Sequence, residues 1–224
     1  CIRDRPERMQ LVVRGYNDGF AFCYKIPDGK GPRVNVQSEL TAYNFAGDYT
    51  AWFYNGENHN IGPEKLTETD GTRLPVMTVK AGDKHYMAIH EACLETGAPL
   101  VLQSKGGESL FSVASKPASL SPGYTSAWRV VMYGATPGVL TDSHLLELLN
   151  PDPDPRYDFS WVKPGLAVWD WRINGAVWDG FTYGMSYPSW VRMVDFAAEQ
   201  GFKYLVLDAN WYGPEFESDS DPVE

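Results

Sequence analysis

The sequence lacks any run of lysine and arginine, and its charge is strongly acidic. Its 224 residues carry 19 Lys and Arg against 29 Asp and Glu, which gives a net charge of −10. Binding to nucleic acid or to an anionic membrane surface needs clustered positive charge, so the sequence predicts neither partner. It also has no stretch of about 18 consecutive apolar residues, so we expect no transmembrane helix.

Cysteine is scarce, and the motifs of several enzyme classes are missing. The three cysteines, Cys1, Cys23 and Cys93, cannot all pair within one chain, and their spacing fits no zinc pattern. Cys23 and Cys93 lie in apolar, strand-like segments, which favours small core residues over a disulfide. The chain has no G-x-S-x-G, G-x-G-x-x-G, P-loop or H-E-x-x-H motif. This argues against the common hydrolases, dinucleotide enzymes, NTPases and metalloproteases that carry them.

The first 135 residues have the pattern of antiparallel β-structure. Short runs rich in Val, Ile, Tyr and Phe alternate with turn signals such as Asn17-Asp18-Gly19, which supply the positive φ angles of tight turns. Many short strands at this spacing predict an antiparallel sandwich or barrel. The predicted strands are Met9–Arg14, Ala21–Ile26, Arg33–Val36, Thr50–Tyr54, Met77–Lys80, His85–Ile89, Pro99–Gln103 and Ala127–Tyr133.

The pattern changes after Gly138. Thr141 is expected to cap a short helix that runs to about Leu149. Prolines at 151, 153 and 155 then alternate with aspartates, which predicts a stiff, extended connector. We therefore divide the chain into a β-rich domain, residues 1–138, and a second part, residues 139–224, that contains the helix, the connector and the start of another domain.

The last 60 residues read as strand, loop, helix and strand. Leu166–Trp169 and Tyr204–Leu207 are apolar strands, and residues 172–188 form a long loop between the first strand and the helix. Ser189 is expected to cap the helix, whose apolar face comprises Trp190, Met193, Val194, Ala197 and Ala198, and Gly201 suits its left-handed C-cap. Apolar strands joined through a helix predict parallel pairing with both faces covered.

Each of these two strands ends in an aspartate with tryptophan beside it. Asp170 lies between Trp169 and Trp171, and Asp208 precedes Trp211. The carboxyl edge of parallel strands is where ligands bind in such folds. Carboxylates accept hydrogen bonds from sugar hydroxyls and indole rings offer apolar faces, so the pattern fits a sugar site. The alternative, equally weighted on periodicity alone, is that the tryptophans are core residues and the aspartates cap loops.

Glu91 is the second candidate site residue. Strand alternation places it on the same face as Met87 and Ile89, at the end of an otherwise apolar face. A buried carboxylate needs a cation or a hydrogen-bond donor, which could be arginine or a hard metal such as calcium. The alternative is that the strand ends there and Glu91 reaches water.

Several phrases, in this order and spacing, resemble glycoside hydrolase family 97. In the β-rich part they are Arg14–Phe22 (RGYNDGFAF), Tyr86–Ala92 (YMAIHEA) and Trp128–Met132 (WRVVM). In the later part they are Ser160–Gly165 (SWVKPG), Val168–Trp171 (VWDW), Asp195–Glu199 (DFAAE) and Leu207–Tyr212 (LDANWY). The resemblance covers nearly the whole chain.

The resemblance implies an N-terminal β-super-sandwich, here partial, followed by the first two βα units of a catalytic (β/α)8 barrel. It implies a calcium-dependent, exo-acting α-glycosidase that acts on oligosaccharides, with a periplasmic or secreted location. Glu91 matches a calcium ligand of the family. Asp208 matches an aspartate that holds sugar hydroxyls, and Asp170 is a weaker candidate for the same subsite, beside Trp169, Trp171 and Trp211.

The resemblance assigns no catalytic residue to this chain, because the family's acid and its nucleophile or base lie on later barrel strands. We therefore expect an internal fragment of a family 97 enzyme. The Asp-x-x-Trp pattern of Asp208 and Trp211 resembles retaining α-galactosidases more than inverting α-glucosidases. The alternative hypothesis is a non-catalytic carbohydrate-binding β-sandwich protein.

Overall fold

The computed structural model describes residues 9–54, 56 and 60–221, so Cys1 lies outside the described residues. The chain forms two compact units that divide between Asp152 and Pro153, inside the proline-rich connector and later than the boundary expected after Gly138. Among the described residues, no helix has the length and apolar character needed to cross a bilayer. The two units are described separately.

The first unit is mainly antiparallel β-structure. Its elements are β1 (Gln10–Tyr16), β2 (Gly19–Lys25), β3 (Val34–Val36), β4 (Ala42–Asn44), β5 (Thr50–Tyr54), β6 (Asn60–Lys65), a 3-10 helix (Leu66–Glu68), β7 (Asp70–Lys80), β8 (Tyr86–Ala92), β9 (Leu102–Lys105), β10 (Leu110–Val113), β11 (Ala118–Leu120), β12 (Trp128–Gly134), α1 (Pro137–Thr141) and α2 (Leu145–Leu149).

Ten of these strands form one curled antiparallel sheet, in the order β1-β2-β12-β8-β7-β9-β10-β4, with β5 paired to β7 and β6 paired to β5. The long strand β7 belongs to two parts of this sheet. Its first part, 70–73, pairs with β9, while its last part, 77–80, pairs with β8. Strands β3 and β11 form a separate ribbon. The expectation of antiparallel β-architecture is confirmed.

Two apolar cores lie on opposite faces of this sheet. On β8, Ile89 belongs to the core inside the curl, whereas Ala88 and Ala92 belong to a second core on the other face. Leu145 and Leu149 of α2 pack in the second core. Residues 139–152 therefore belong to the β-rich unit, because their leucines cover its sheet.

Most predicted strands lie where the sequence placed them, and β5 has the predicted bounds. The sequence missed the short strands β4, β6, β10 and β11 and the first half of β7. Strand β6 contains Gly62 and Pro63. Both residues are unfavourable inside strands, so the sequence pattern did not predict β6. Cys23 is buried and Cys93 is half-buried, and both are free thiols, as expected of small core residues.

The helix expected from Thr141 to Leu149 is instead two short helices. Thr141 ends α1 and does not cap a helix, because Pro137 starts the helix at its first position. The second helix begins at Leu145, whose backbone N–H donates to the Ser143 hydroxyl at 3.3 Å. Leu145 and Leu149 of this second helix are buried, whereas Leu148 is 57% exposed.

The second unit contains β13 (Ala167–Trp169), α3 (Asp170–Ile173), β14 (Val177–Trp178), β15 (Phe181–Thr182), α4 (Tyr187–Gln200) and β16 (Tyr204–Val206). Strands β13 and β16 pair in parallel, as expected. The segment 172–188 is not a plain loop, because it includes the end of α3 and a hairpin of β14 and β15. Asp179 and Gly180 have positive φ angles at the hairpin turn.

Helix α4 begins earlier than predicted. Ser186 is its N-cap and Pro188 occupies its first turn, whereas the buried Ser189 hydroxyl accepts the N–H of Gly184 at 2.9 Å. The buried residues are Ser189, Met193 and Ala197, so the apolar face is rotated from the predicted one and Val194 is half-exposed. Gly201 closes the helix in the left-handed conformation, as expected.

The role of α2 gives a stability prediction with a matched control on the same helix. Leu145→Ala removes a side chain that is 1% exposed and leaves a cavity against the sheet, so the free energy of unfolding should fall by about 2–5 kcal/mol. Leu148→Ala, on the exposed side, should change it by less than about 0.5 kcal/mol. Chemical denaturation of the two variants measures both values, and equal losses would contradict the packing of α2.

Candidate functional site

Glu91 is buried inside the first unit. It lies on β8, is 8% exposed, and the strand continues through Ala92, so the carboxylate does not reach water in the way that a strand-end residue would. Its Oε2 atom accepts the backbone N–H of Leu100 at 2.5 Å and contacts Nη1 of Arg129 at 3.4 Å. The need for a donor or a cation around this carboxylate is therefore met by the protein itself.

Arg129 connects Glu91 to a second carboxylate. It lies opposite Glu91 in the register of β8 and β12, and it donates from Nε and Nη2 to the two oxygens of Glu39, at 3.0 and 2.7 Å. Burial works to lower the pKa of Arg129, but hydrogen bonding and the charge of Glu39 outweigh it and raise this pKa above its usual value. We call Glu39, Arg129 and Glu91 the ion cluster.

The ion cluster carries one positive and two negative charges and faces a buried tyrosine. Tyr43 lies in the same core, and among the described residues its hydroxyl has no hydrogen-bond partner. Burial raises the pKa of this hydroxyl, with Arg129 working in the opposite direction. Tyr43 therefore stays neutral, as a buried hydroxyl beside the ion cluster.

Glu91 is the only predicted metal ligand, and the described part of the chain contains no group of three or more His, Cys, Asp or Glu side chains that could hold a metal ion. Among the described residues, the polar contacts of the Glu91 carboxylate involve Oε2, so Oε1 can accept another partner. A calcium ion needs six to eight oxygen ligands, so Glu91 fits the role of one such ligand and cannot form a site alone.

In the second unit, the parallel strands bring Asp170 and Asp208 together. Asp170 follows β13 and is 1% exposed, while Asp208 lies two residues after β16 and is half-buried. Oδ1 of Asp170 accepts the backbone N–H of Asp208 at 3.0 Å, and Oδ2 accepts Nε1–H of Trp190 at 2.8 Å. The expected meeting of the two strand ends is thus observed.

Trp169 belongs to the same network through Asp208. Its Nε1–H donates to Oδ2 of Asp208 at 2.8 Å, and the backbone N–H of Ala209 donates to Oδ1 at 2.8 Å. Each carboxylate oxygen has a second lone pair, so Asp208 can still accept hydrogen bonds from a ligand hydroxyl. The Trp169 ring also stacks against the Arg172 guanidinium and lines an open apolar groove of about 710 Å³.

Among the described residues, Trp171 and Trp211 make no hydrogen bond to these carboxylates. Their side chains are 52% and 48% exposed, and in the described part of the chain neither indole N–H donates to Asp170 or Asp208. The Trp211 ring packs edge-to-face on Tyr212, with centroids 5.5 Å apart. The structure therefore joins three of the five predicted sugar-site residues and leaves two as exposed aromatic surfaces nearby in sequence.

Sequence reasoning missed two partners of these sites. Glu39 lies in an irregular segment, 90 residues from Arg129, and no local pattern marks it. Trp190 was predicted only as a core residue of the helix face. The one available signal was Asp170 itself, because a carboxylate at the end of an apolar strand needs a donor that an indole N–H can supply.

The ion cluster gives a second stability prediction. Arg129→Gln removes the cation and leaves Glu39 and Glu91 with uncompensated charge, so the free energy of unfolding should fall by about 3–5 kcal/mol. The control is Arg156→Gln, which breaks the solvent-exposed ion pair of Arg156 with Asp154 and should leave the thermal midpoint unchanged. Thermal melts that coincide for Arg129→Gln and the parent protein would rule out a stabilising cluster.

Comparison with known proteins identifies the family. Residues 2–151 match the model of the family described as glycosyl-hydrolase 97 N-terminal. The chain is 28% identical over 244 residues to a retaining alpha-galactosidase of Bacteroides thetaiotaomicron, an alignment that covers 90% of this chain and 36% of that protein. It is 31% identical over 227 residues to a probable retaining alpha-galactosidase of Streptomyces bingchenggensis, covering 93% and 32%.

Solved structures agree. A glycoside hydrolase family 97 enzyme from a Pseudoalteromonas species, in complex with acarbose, superposes with a TM-score of 0.73 at 25% identity, covering 92% of this chain and 34% of that one. A complex of a variant of that enzyme with panose gives the same values. The chain spans about a third of the length of the relatives it matches. Since the family model covers well over half of its residues, the chain belongs to glycoside hydrolase family 97.

Proposed function

We propose that the full-length protein is an exo-acting α-glycosidase that releases terminal α-linked galactose or glucose from oligosaccharides, with retaining α-galactosidase activity preferred. The observation that carries this proposal is the half-buried Asp208 carboxylate, held by Trp169 at the carboxyl edge of two parallel strands in a family 97 chain. The two curated relatives named above, both retaining alpha-galactosidases by name, support the preference for galactose.

The proposed architecture follows the family. Residues 1–152 form part of the N-terminal β-super-sandwich, and residues 153–224 supply the first two βα units of a catalytic (β/α)8 barrel. The parallel pairing of β13 with β16, and the helix α4 between them in sequence, support the barrel assignment. Ligands of such barrels bind at the carboxyl ends of the strands, where Asp170 and Asp208 lie.

Asp208 acts in this proposal as an acceptor for sugar hydroxyls. Its orientation is set by Nε1–H of Trp169 and by the N–H of Ala209, one on each oxygen. The remaining lone pairs accept hydroxyl hydrogens of the terminal sugar, while the exposed rings of Trp171 and Trp211 offer apolar faces to its C–H groups.

The bond-breaking chemistry needs two further carboxyl groups. One protonates the departing glycosidic oxygen, and the other attacks the anomeric carbon to give a glycosyl-enzyme that water then hydrolyses, so that the configuration is retained. We assign neither group to residues 1–224. Asp208 contributes binding and orientation of the sugar, which favours reaction by holding the anomeric carbon in place.

Calcium is the proposed cofactor, with Glu91 as one of its ligands. When bound, the ion supplies a strong positive charge that favours anionic and polar oxygen groups of the substrate. Glu91 suits it because, in the part of the chain that the structure describes, Leu100 and Arg129 contact Oε2, so that Oε1 can bind a cation. The described residues contain no group of three or more His, Cys, Asp or Glu side chains, so the remaining ligands would include backbone or amide carbonyls, waters, or residues beyond the described ones.

The full-length protein should release the chromophore from an aryl α-galactoside faster than from an aryl α-glucoside. A chelator should abolish this activity and added calcium should restore it, while residues 1–224 alone should give no turnover. Initial rates measured on both substrates test these expectations. No release from either substrate by the calcium-loaded protein would refute the enzyme and favour the non-catalytic carbohydrate-binding alternative.

Asp208→Asn in the full-length protein should lower kcat/KM by about 10- to 100-fold, the cost of losing a charged hydrogen-bond acceptor. The matched control is Asp179→Asn at the hairpin turn, where the positive φ of 50° suits asparagine. Steady-state kinetics of both variants test whether Asp208 binds the sugar. An unchanged kcat/KM in Asp208→Asn would show that it does not.

A further inference from the structure

Asp170 stands out because its carboxylate is almost completely buried and yet lies at a ligand-binding edge. It is 1% exposed, so neither oxygen is open to a sugar hydroxyl. One oxygen accepts the indole N–H of Trp190 from helix α4, at 2.8 Å, and the other accepts the backbone N–H of Asp208, at 3.0 Å. The geometry directs this carboxylate toward the protein and away from a substrate.

Two consecutive residues hydrogen-bond to Asp208, one to its side chain and one to its main chain. Trp169 donates its indole N–H to the Asp208 side chain, and Asp170 accepts the Asp208 backbone N–H. The end of β13 therefore fixes both the main chain and the side chain of Asp208. A carboxylate held in this way has little freedom to rotate, which is the condition for a preorganised acceptor.

Trp190 completes the arrangement from the helix. Its hydrogen bond to Oδ2 fixes the plane of the Asp170 carboxylate, so that Oδ1 stays aimed at the Asp208 backbone. Four groups are thus connected in series: the Trp190 indole, the Asp170 carboxylate, the Asp208 main chain and the Asp208 side chain, the last of which is half-exposed.

We propose that Asp170 and Trp190 are positioning residues for Asp208 and do not themselves touch the sugar. This inference rests on the proposed function, in which Asp208 accepts hydroxyls of a terminal hexose. It assigns the two aspartates different roles: Asp208 binds, and Asp170 fixes where Asp208 stands.

The kinetic test is a mutant cycle in the full-length protein with an aryl α-galactoside. Trp190→Phe removes the N–H donor and keeps an aromatic ring, while Asp170→Asn places an amide where two donors converge. Each should lower kcat/KM by at least about tenfold. In an Asp208→Ala background the same substitutions should cause no further loss. Trp161→Phe, an exposed tryptophan outside the network, should leave kcat/KM unchanged.

A purely structural role for Asp170 would give the same fold-loss in both backgrounds, and that result would overturn the proposal. If Asp170→Asn does not fold, Trp190→Phe carries the cycle alone.

A second readout does not depend on activity. Backbone hydrogen exchange of the segment 204–210, followed by mass spectrometry, should be faster in Trp190→Phe and Asp170→Asn than in the parent or in Trp161→Phe. Unchanged exchange would overturn the positioning role. If the parent enzyme shows no glycosidase activity while exchange responds as expected, the proposed function fails and the fixing of Asp208 by Asp170 and Trp190 stands.

Discussion

A carboxylate that is removed from water must be surrounded by donors, and this constraint organises both units of the chain. Glu91 meets it with the Leu100 amide and Arg129, and Asp170 meets it with the Asp208 amide and the Trp190 indole. In each case one of the donors lies 38 residues away along the chain, Arg129 for Glu91 and Asp208 for Asp170. Each buried carboxylate therefore connects separate strands. It also restricts the orientation of an oxygen that can bind a ligand: the second oxygen of Glu91 in the first unit, and the Asp208 carboxylate in the second.

The general architecture could be predicted because it depends on local patterns. Alternation along β8 predicted correctly that Glu91 shares a face with Ile89, and the two apolar strands predicted the parallel pair β13 and β16. Helix boundaries were less accurate, because Pro137 and Ser186 competed with other plausible caps nearby. The Asp179-Gly180 dipeptide is typical of a two-residue hairpin turn, but it was not used to predict β14 and β15.

The sites could be predicted only as single residues. Periodicity and strand position pointed to Glu91, Asp170 and Asp208, but their partners depend on the tertiary fold. Glu39 approaches Arg129 from an irregular segment, and Trp190 reaches Asp170 across the second unit. No local pattern contains such contacts. The strand-end pattern therefore gave Asp170 and Asp208 the same kind of role, with Asp170 the weaker candidate by resemblance, although Asp170 is buried and Asp208 is accessible.

Helix α2 covers the outer face of the same sheet whose inner face carries the ion cluster. The segment that must stay together in a fragment or a recombinant protein therefore includes α2 as well as the strands. Truncation after Gly138 would remove α2 and expose Trp128 and Met132. An exposed apolar surface of this kind promotes aggregation. Truncation after Asp152 leaves α2 covering this face of the sheet. Recombination between relatives, natural or in the laboratory, should therefore favour crossovers in the proline-rich connector.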